Sequence, residues 1–223
     1  TSSRCSTRRN SRKAASRAER LRATIEKRLA TASPKADPLS YLLKQAHGEV
    51  SAELREHLSG EPSPAAVLLG LVDRTDGLNV ILTERARHLP DHAGQVSFPG
   101  GRIGPRDSGP IAAALREAEE EVGIRPERVA IAGSMQDTLT GTGFLITPVV
   151  GFVDYDFEAV PDRSEVDDVF EVPIDFLLEP GALRTSTRER FGTTFTMFEF
   201  DYDGHYVWGA TATILSHFIK IIL

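Results

Sequence analysis

Short apolar segments on both sides of one Glu-rich stretch are the feature that most limits the fold of this 223-residue chain. Most of them are rich in Val, Ile, Leu or Phe and are bounded by turn-forming residues, which is typical of β-strands. They predict strands at 65–72, 78–84, 96–98, 129–135, 144–153, 195–202 and 205–208. Helices are predicted at 111–122, 173–178 and 210–223. Strands on either side of two or three helices indicate an α/β or α+β domain with a mixed β-sheet.

A hydrophobic core must hold this domain together. The single cysteine, Cys5, has no partner for an intramolecular disulfide and cannot form a four-thiolate zinc site. No apolar run reaches the ~18 residues that a membrane span needs, so we expect no membrane partner. Hydrophobic residues make up 40% of the chain and charged residues 26%, as in an ordinary globular domain.

The N-terminal segment differs in charge from the rest of the chain. Residues 1–29 hold ten Lys and Arg and two Glu, which leaves 16 basic and 30 acidic residues beyond them. Residues 1–17 have few large apolar side chains and are predicted to form a disordered basic tail. Leu21, Ile25 and Leu29 recur every four residues and predict a helix at 18–30. We therefore divide the chain into the tail, an N-terminal helical segment at 18–60 and a main domain at 61–223.

The basic tail also bears on localisation. An Arg- and Ser-rich, acid-poor segment is typical of an organelle transit sequence as well as of a solvated tail. Because basic tails are common, we expect a cytoplasmic protein, with an organelle matrix as the alternative.

Three carboxylates are predicted to converge on one face of the 111–122 helix. Glu117, Glu120 and Glu121 stand at i, i+3 and i+4, whereas Glu119 projects elsewhere. Clustered anions repel one another, so the arrangement calls for divalent cations to neutralise it. Oxygen ligands favour hard ions, which indicates Mg²⁺ or Mn²⁺.

Glu-rich helix faces are often only solvated. The neighbouring sequence must therefore decide between a metal site and an ordinary solvated surface. The opposite face carries mostly small residues that allow close packing on a sheet, namely Ala113, Ala114, Ala118 and Val122. Upstream of the helix, Gly100 and Gly101 lack side chains, so their backbone carbonyls can approach a metal ion. Both observations favour a metal site.

These residues resemble the Nudix box, Gly-x5-Glu-x7-Arg-Glu-U-x-Glu-Glu-x-Gly-U, where U is a bulky aliphatic residue. Gly101, Arg116, the three glutamates, Gly123 and Ile124 stand where the box requires them. Asp107 replaces the first Glu of the box, eight residues instead of seven precede Arg116, and Ala118 is smaller than the usual aliphatic residue. The resemblance implies a Nudix-type α/β/α sandwich with a mixed sheet for residues 61–223.

The segment at 82–101, LTERARHLPDHAGQVSFPGG, is similar to the signature of the coenzyme A diphosphatase branch of Nudix hydrolases. That branch also tends to have an aspartate and a lengthened spacing in the box. Segments at 143–151, 165–173 and 207–212 look like the same branch, whereas Pro90 stands where the branch usually has a basic residue.

The resemblance implies a Mg²⁺- or Mn²⁺-dependent diphosphatase that cleaves coenzyme A or acyl-CoA to 3′,5′-ADP and 4′-phosphopantetheine. The first alternative is a Nudix diphosphatase for ADP-ribose or capped RNA, although we expect no nucleic-acid partner despite the basic tail. The second is a catalytically silent nucleotide-binding module, against which the three intact glutamates argue. The oligomeric state is left open.

The resemblance also assigns roles to single residues. Glu117, Glu120 and Glu121 would bind the metal together with a carbonyl of Gly100 or Gly101, and Arg116 would orient a carboxylate through a salt bridge. Arg85 and His92, within the branch signature, are candidates for substrate contact, and Glu165 is a candidate for a further carboxylate at the site. Trp208 and Phe144 are aromatic enough to stack on adenine, but core packing is the simpler interpretation.

Overall fold

The structure is a computed structural model that describes residues 3–31 and 37–223, with side chains from Arg17 onward. Its helices are α1 (Ser3–Ala30), α2 (Pro38–Lys44), α3 (Ala52–His57), α4 (Pro110–Val122), α5 (Ile174–Leu177) and α6 (Gly209–Ile222), with a 3₁₀ turn at Pro126–Arg128. Within the described ranges, no helix combines the length and the apolar character that crossing a membrane requires.

The strands form two sheets. Their bounds are β1 (Ala46–His47), β2 (Ser63–Arg74), β3 (Gly77–Arg85), β4 (Val96–Ser97), β5 (Gly100–Arg102), β6 (Val129–Ser134), β7 (Thr138–Leu139), β8 (Phe144–Val153), β9 (Val166–Pro173), β10 (Arg184–Arg190), β11 (Thr193–Tyr202) and β12 (His205–Trp208). We call the sheet that contains β2 to β9 the main sheet, and the sheet of β1, β10, β11 and β12 the second sheet.

The main sheet is mixed, as predicted. At its centre β2 pairs in parallel with β8, with Ser63 opposite Phe144 and Val72 opposite Val153. Antiparallel neighbours extend it on both sides: β3, β4 and β9 beyond β2, and β6 and β7 along β8, while β5 pairs with the first part of β2. Most of β2 is buried, as expected for a strand whose two faces are both covered.

Two hydrophobic clusters lie on opposite faces of the main sheet. One joins the small face of α4 to Leu68 and Val72 of β2 and to Val149 of β8. The other joins the sheet to α1, α6 and β11. The predicted Nudix-type sandwich of helices around a mixed sheet is confirmed, and the second sheet is added to the layer that carries α6.

Helix α1 differs from the predicted N-terminal organisation. It begins at Ser3, so the segment at 1–17 that composition predicted to be disordered is helical over its described part, while Thr1 and Ser2 lie outside the described residues. The buried side chains Ile25 and Leu29 anchor the C-terminal half of the helix in the core. Extending an anchored helix costs less than nucleating one, and Arg and Ala are good helix formers.

The predictions missed strands β9 and β10 because neither has a clear apolar pattern. Strand β9 carries Asp167, Asp168 and Glu171 among its apolar residues. Strand β10 reads Arg-Thr-Ser-Thr-Arg-Glu-Arg and is mostly exposed, since it is paired only along its β11 edge in the part of the chain that the structure describes. Polar edge strands of this kind disfavour strand pairing between two molecules, and they lack the apolar pattern from which strands are predicted.

His217 on α6 is a titratable group enclosed by the fold. Its ring packs edge-on against Tyr41 of α2 with the ring centroids 4.4 Å apart, and its Nε2 has no hydrogen-bond partner among the described residues. Burial, with a smaller contribution from Lys220, lowers the pKa of His217 from 6.5 to about 4. The folded protein therefore holds this side chain in its neutral form at neutral pH.

We expect acid to destabilise the fold through His217. Between about pH 6.5 and about pH 4, His217 is protonated in the unfolded chain but stays neutral in the folded chain. The free energy of unfolding therefore falls across this pH range, and His217 causes no further loss at lower pH. His217→Phe keeps an aromatic ring against Tyr41 and cannot titrate. Thermal unfolding of both proteins at pH 7.5 and pH 4.5 checks this: the melting temperature of the wild type should fall by a few degrees more than that of the variant. Equal falls would contradict the assignment.

Candidate active site

Strand β5 passes between β2 and the carboxylates of α4, and only glycine fits there. A Cβ atom on Gly100 would lie 2.5 Å from the carbonyl oxygen of Ala66. A Cβ atom on Gly101 would lie 2.6 Å from the carboxyl carbon of Glu117. The missing side chains allow the backbone to approach the carboxylates of α4 directly.

Helix α4 is fixed at both ends. Pro110 stands in its first turn, where the proline needs no amide hydrogen, and Gly123 ends it in the left-handed conformation with φ of 75°. The bounds agree with the predicted helix at 111–122 to within one residue. Because its small face packs against the main sheet, the carboxylates on its other side are held beside β5.

Asp107 and Arg116 form the best-defined ion pair of the site. Arg116 donates from Nε to one oxygen of Asp107 at 3.0 Å and from Nη2 to the other at 2.9 Å. The side chain of Asp107 is 6% exposed and also accepts from the amide of Gly104 at 2.7 Å. The hydrogen bonds from Arg116 and Gly104 lower the pKa of Asp107. Asp107, which departs from the box in type and spacing, thus anchors Arg116.

Arg116 in turn holds two of the three predicted metal ligands. Its Nη1 donates to Glu117 Oε1 at 2.9 Å and to Glu120 Oε2 at 3.0 Å. The side chain of Glu120 is 61% exposed, whereas that of Glu117 is 19% exposed. Arg116 therefore forms salt bridges with two of the three carboxylates that were predicted to bind a metal ion.

Glu121 is the buried carboxylate of the site. It accepts a hydrogen bond from the amide of Gly100 at 3.1 Å. Burial raises its pKa to about 7; the Gly100 hydrogen bond opposes this rise, while the charges of Glu117 and Glu165 add to it. Glu165, in the loop before β9, therefore lies near enough to Glu121 to act on it electrostatically.

The donor set fits a divalent cation, although the side chains do not yet surround one. In the described ranges, no three His, Cys, Asp or Glu side chains are grouped closely enough to hold a metal ion as they stand. A buried carboxylate that is repelled by two others gains from a nearby cation, and an all-oxygen set suits Mg²⁺ or Mn²⁺. The fold brings Glu117 and Glu121 together beside the backbone of Gly100 and Gly101.

A cavity of about 660 Å³ adjoins Gly100 and Gly101. Arg85 and His92 both line it; Arg85 Nε donates to the carbonyl of Asp91 at 3.3 Å, and His92 Nδ1 lies 2.9 Å from Gln95 Oε1. The charge of Arg85 acts on Glu121, so this cavity-lining cation is also close to the carboxylates.

Aromatic side chains form part of the cavity wall. Phe144 and Trp208 line it instead of being fully buried in the core, and arginines stand over their rings, with Arg102 at 5.2 Å from the Phe144 centroid and Arg188 at 5.5 Å from the Trp208 centroid. Tyr41 comes from the N-terminal segment. The sequence had indicated Phe144 and Trp208 as possible adenine-stacking residues, but not Tyr41 or Arg188, which join them only where α2 and the second sheet meet the main sheet.

The chain is similar to known proteins in sequence and in structure. The sequence model of the family described as NUDIX domain matches residues 62–189. The protein called uncharacterized Nudix hydrolase NudL from Shigella flexneri is 40% identical over 165 residues, which cover 73% of this chain and 85% of that protein. Its namesake from Salmonella newport is 42% identical over 151 residues, covering 68% and 78%. The crystal structure of a Nudix hydrolase from M. smegmatis, RenU, is 25% identical, with 52% and 73% covered and a TM-score of 0.45.

Substitution by alanine should reduce catalysis at Gly101 and stability at Gly100. In Gly101→Ala the new methyl meets the movable carboxylate of Glu117, so we expect the melting temperature to stay nearly unchanged while kcat falls by about 100-fold. In Gly100→Ala the methyl meets the backbone of β2, so we expect a loss of about 1–3 kcal/mol in unfolding free energy. Thermal unfolding and diphosphate hydrolysis assays check both. A fully active Gly101→Ala protein would refute the role given to the position of Glu117.

Proposed function

The chain belongs to the NUDIX domain family and is a hydrolase of diphosphate bonds in nucleoside diphosphate derivatives, and we propose that its substrate is coenzyme A or an acyl-CoA. The products would be 3′,5′-ADP and 4′-phosphopantetheine, or the acylated form of the latter. The relatives named above leave the substrate open, so this proposal depends on the residues around the cavity.

One observation carries the proposal. The segment at 82–101, which resembles the coenzyme A diphosphatase signature, runs from β3 through a turn into β4 and β5. In the structure this segment supplies Arg85, His92 and Gly100 to the cavity and also the amide that binds Glu121. The part of the chain that resembles the branch most closely is therefore the part that borders both the carboxylates and the cavity.

Nudix hydrolases generally use divalent cations such as Mg²⁺ or Mn²⁺. We propose that Glu117, Glu120 and Glu121, with a carbonyl of Gly100 or Gly101, hold such an ion here. When bound, the ion supplies neutralisation of the diphosphate oxygens and lowers the pKa of an attacking water. Glu120 would join the set by exchanging its solvent-exposed salt bridge with Arg116 for the ion.

The protein's own groups have distinct parts in the proposed reaction. Asp107 fixes Arg116, and Arg116 orients Glu117. A carboxylate in or beside the cluster, with Glu165 entering from its loop, accepts the proton of the attacking water. Arg85 offers positive charge to a phosphate group at the end of the cavity nearest the carboxylates. Hydrolysis then breaks one P–O bond of the diphosphate and leaves a phosphate on each product.

Neutralising a metal-binding carboxylate should stop turnover without unfolding the protein. We expect Glu120→Gln and Glu121→Gln each to lower kcat by about 100-fold or more, because each keeps the side-chain volume but removes a ligand charge. Glu119→Gln is the matched control, since this exposed residue stands on the same helix and points away from the cluster. EDTA should abolish turnover by the wild type, and added Mg²⁺ or Mn²⁺ should restore it. Full activity of either test variant with the metal still required would refute the ligand assignment.

The substrate proposal is tested with compounds that differ by one group. If Arg85 holds the 3′-phosphate of coenzyme A, dephospho-coenzyme A should be cleaved with a kcat/KM lower by about tenfold to 100-fold, the effect of one lost charge-assisted hydrogen bond. Arg85→Ala should remove this difference. Arg87→Ala is the control, because Arg87 is 78% exposed, pairs with Glu84 and should leave the difference intact.

The readout is the set of products by mass spectrometry for coenzyme A, dephospho-coenzyme A, ADP-ribose and capped RNA. Equal rates on the first two, or faster turnover of ADP-ribose, would overturn the coenzyme A assignment and leave the family's diphosphatase activity standing.

A further inference from the structure

The cavity wall has a marked excess of positive charge. Among the residues that the structure describes, four arginines line the cavity but only one acidic residue, Glu189. Arg85 and Arg102 come from β3 and β5 of the main sheet, whereas Arg188 and Arg190 come from β10 of the second sheet. A cavity with this imbalance attracts anionic ligands.

Arg188 and Arg190 lie on the same face of β10. Alternate residues of a strand point to one side, so these two side chains are neighbours and that of Glu189 points to the opposite side. Arg188 is opposite Phe195 in the pairing of β10 with β11, and Phe195 also lines the cavity. This face of the second sheet is therefore the one turned toward the cavity. We call Arg188 and Arg190 the arginine pair.

Arg188 is held in place by the second sheet. Its guanidinium stands 5.5 Å from the centroid of the Trp208 ring, and its Nη2 donates to the hydroxyl of Tyr206 at 2.8 Å. The same Nη2 lies 3.8 Å from Glu199, which accepts a hydrogen bond from Tyr206. Because both contacts use Nη2, the N–H groups on Nε and Nη1 are left for a ligand.

Arg190 has no carboxylate partner among the described residues. Its guanidinium stands 5.3 Å from the centroid of the Phe191 ring. A Cβ atom on Gly141 would lie 3.5 Å from Arg190 Cδ, so this side chain lies against the turn between β7 and β8, which also lines the cavity. The charge of Arg190 is therefore held at the cavity without an anion from the described protein.

We propose that the arginine pair binds a second anionic group of the substrate, separate from the diphosphate that is cleaved. This inference rests on the proposed function, because coenzyme A and its derivatives offer two such groups. One is the 3′-phosphate, and the other is a carboxylate at the far end of an acyl chain. Guanidinium groups bind both kinds of oxyanion through paired hydrogen bonds.

Two pairs of ligands, each pair differing in one anionic group, test the proposal. The ligands 3′,5′-ADP and 5′-AMP differ in the 3′-phosphate, and adipoyl-CoA and hexanoyl-CoA differ in a terminal carboxylate. Isothermal titration calorimetry with EDTA present gives their dissociation constants without turnover. In at least one pair, the wild type should bind the more anionic ligand about tenfold more tightly.

Arg188→Gln and Arg190→Gln should each remove most of that preference. The melting temperature of Arg190→Gln without ligand should equal that of the wild type, because no salt bridge within the described protein is lost.

Arg184→Gln is the matched control. Arg184 lies on the same face of β10, but it forms a salt bridge with Asp201 and does not line the cavity. Its substitution should leave both preferences intact.

Arg85→Ala identifies the bound group. If this variant loses the preference for 3′,5′-ADP, as expected above, the arginine pair should determine the preference for adipoyl-CoA. If the variant keeps the preference for 3′,5′-ADP, the pair should hold the 3′-phosphate.

Three results would overturn the inference: no preference by the wild type in either ligand pair, unchanged preferences in both variants of the arginine pair, or an equal loss in Arg184→Gln. These binding measurements do not depend on hydrolysis. A wild type that shows the preference but does not cleave coenzyme A would overturn the proposed substrate and leave the arginine pair as an anion site.

Discussion

The close packing of α4 on the main sheet determines where the carboxylates of α4 and strand β5 lie. Ala113, Ala114 and Ala118 bring the helix close to β2, and β5 fits between them only because Gly100 and Gly101 have no side chains. The backbone amide of Gly100 then reaches a carboxylate that is buried by the same packing. A larger residue at any of these positions would separate the carboxylates from the strand that borders the cavity.

The sequence predicted the parts of the molecule whose signals are local. The bounds of α4 follow from the pattern of its residues at 111–122, and strands β2 and β3 follow from the apolar runs at 65–72 and 78–84. The grouping of Glu117 and Glu121 near Gly100 also follows, since helical spacing fixes the first two and the lack of a side chain marks the third. In the sequence Asp107 is only a departure from the box, whereas in the structure it accepts two hydrogen bonds from Arg116.

Features that depend on distant parts of the chain were not predictable. Strand β10 has no apolar residues, so only its pairing with β11 defines it. The extension of α1 to Ser3 depends on Ile25 and Leu29 finding a core on the main sheet and α6, which composition does not reveal. The cavity likewise combines residues of α2, β8 and α6, which lie far apart in the chain.

Arg116 forms salt bridges with both Glu117 and Glu120, so its guanidinium acts as a counter-ion within the carboxylate cluster. Its positive charge limits the mutual repulsion of the glutamates, so the cluster stays assembled without any other cation. A metal ion held by Glu117 and Glu120 would compete with this guanidinium for the carboxylate oxygens. Arg116 would keep its two hydrogen bonds with Asp107, so its positive charge would stay at the edge of the cluster.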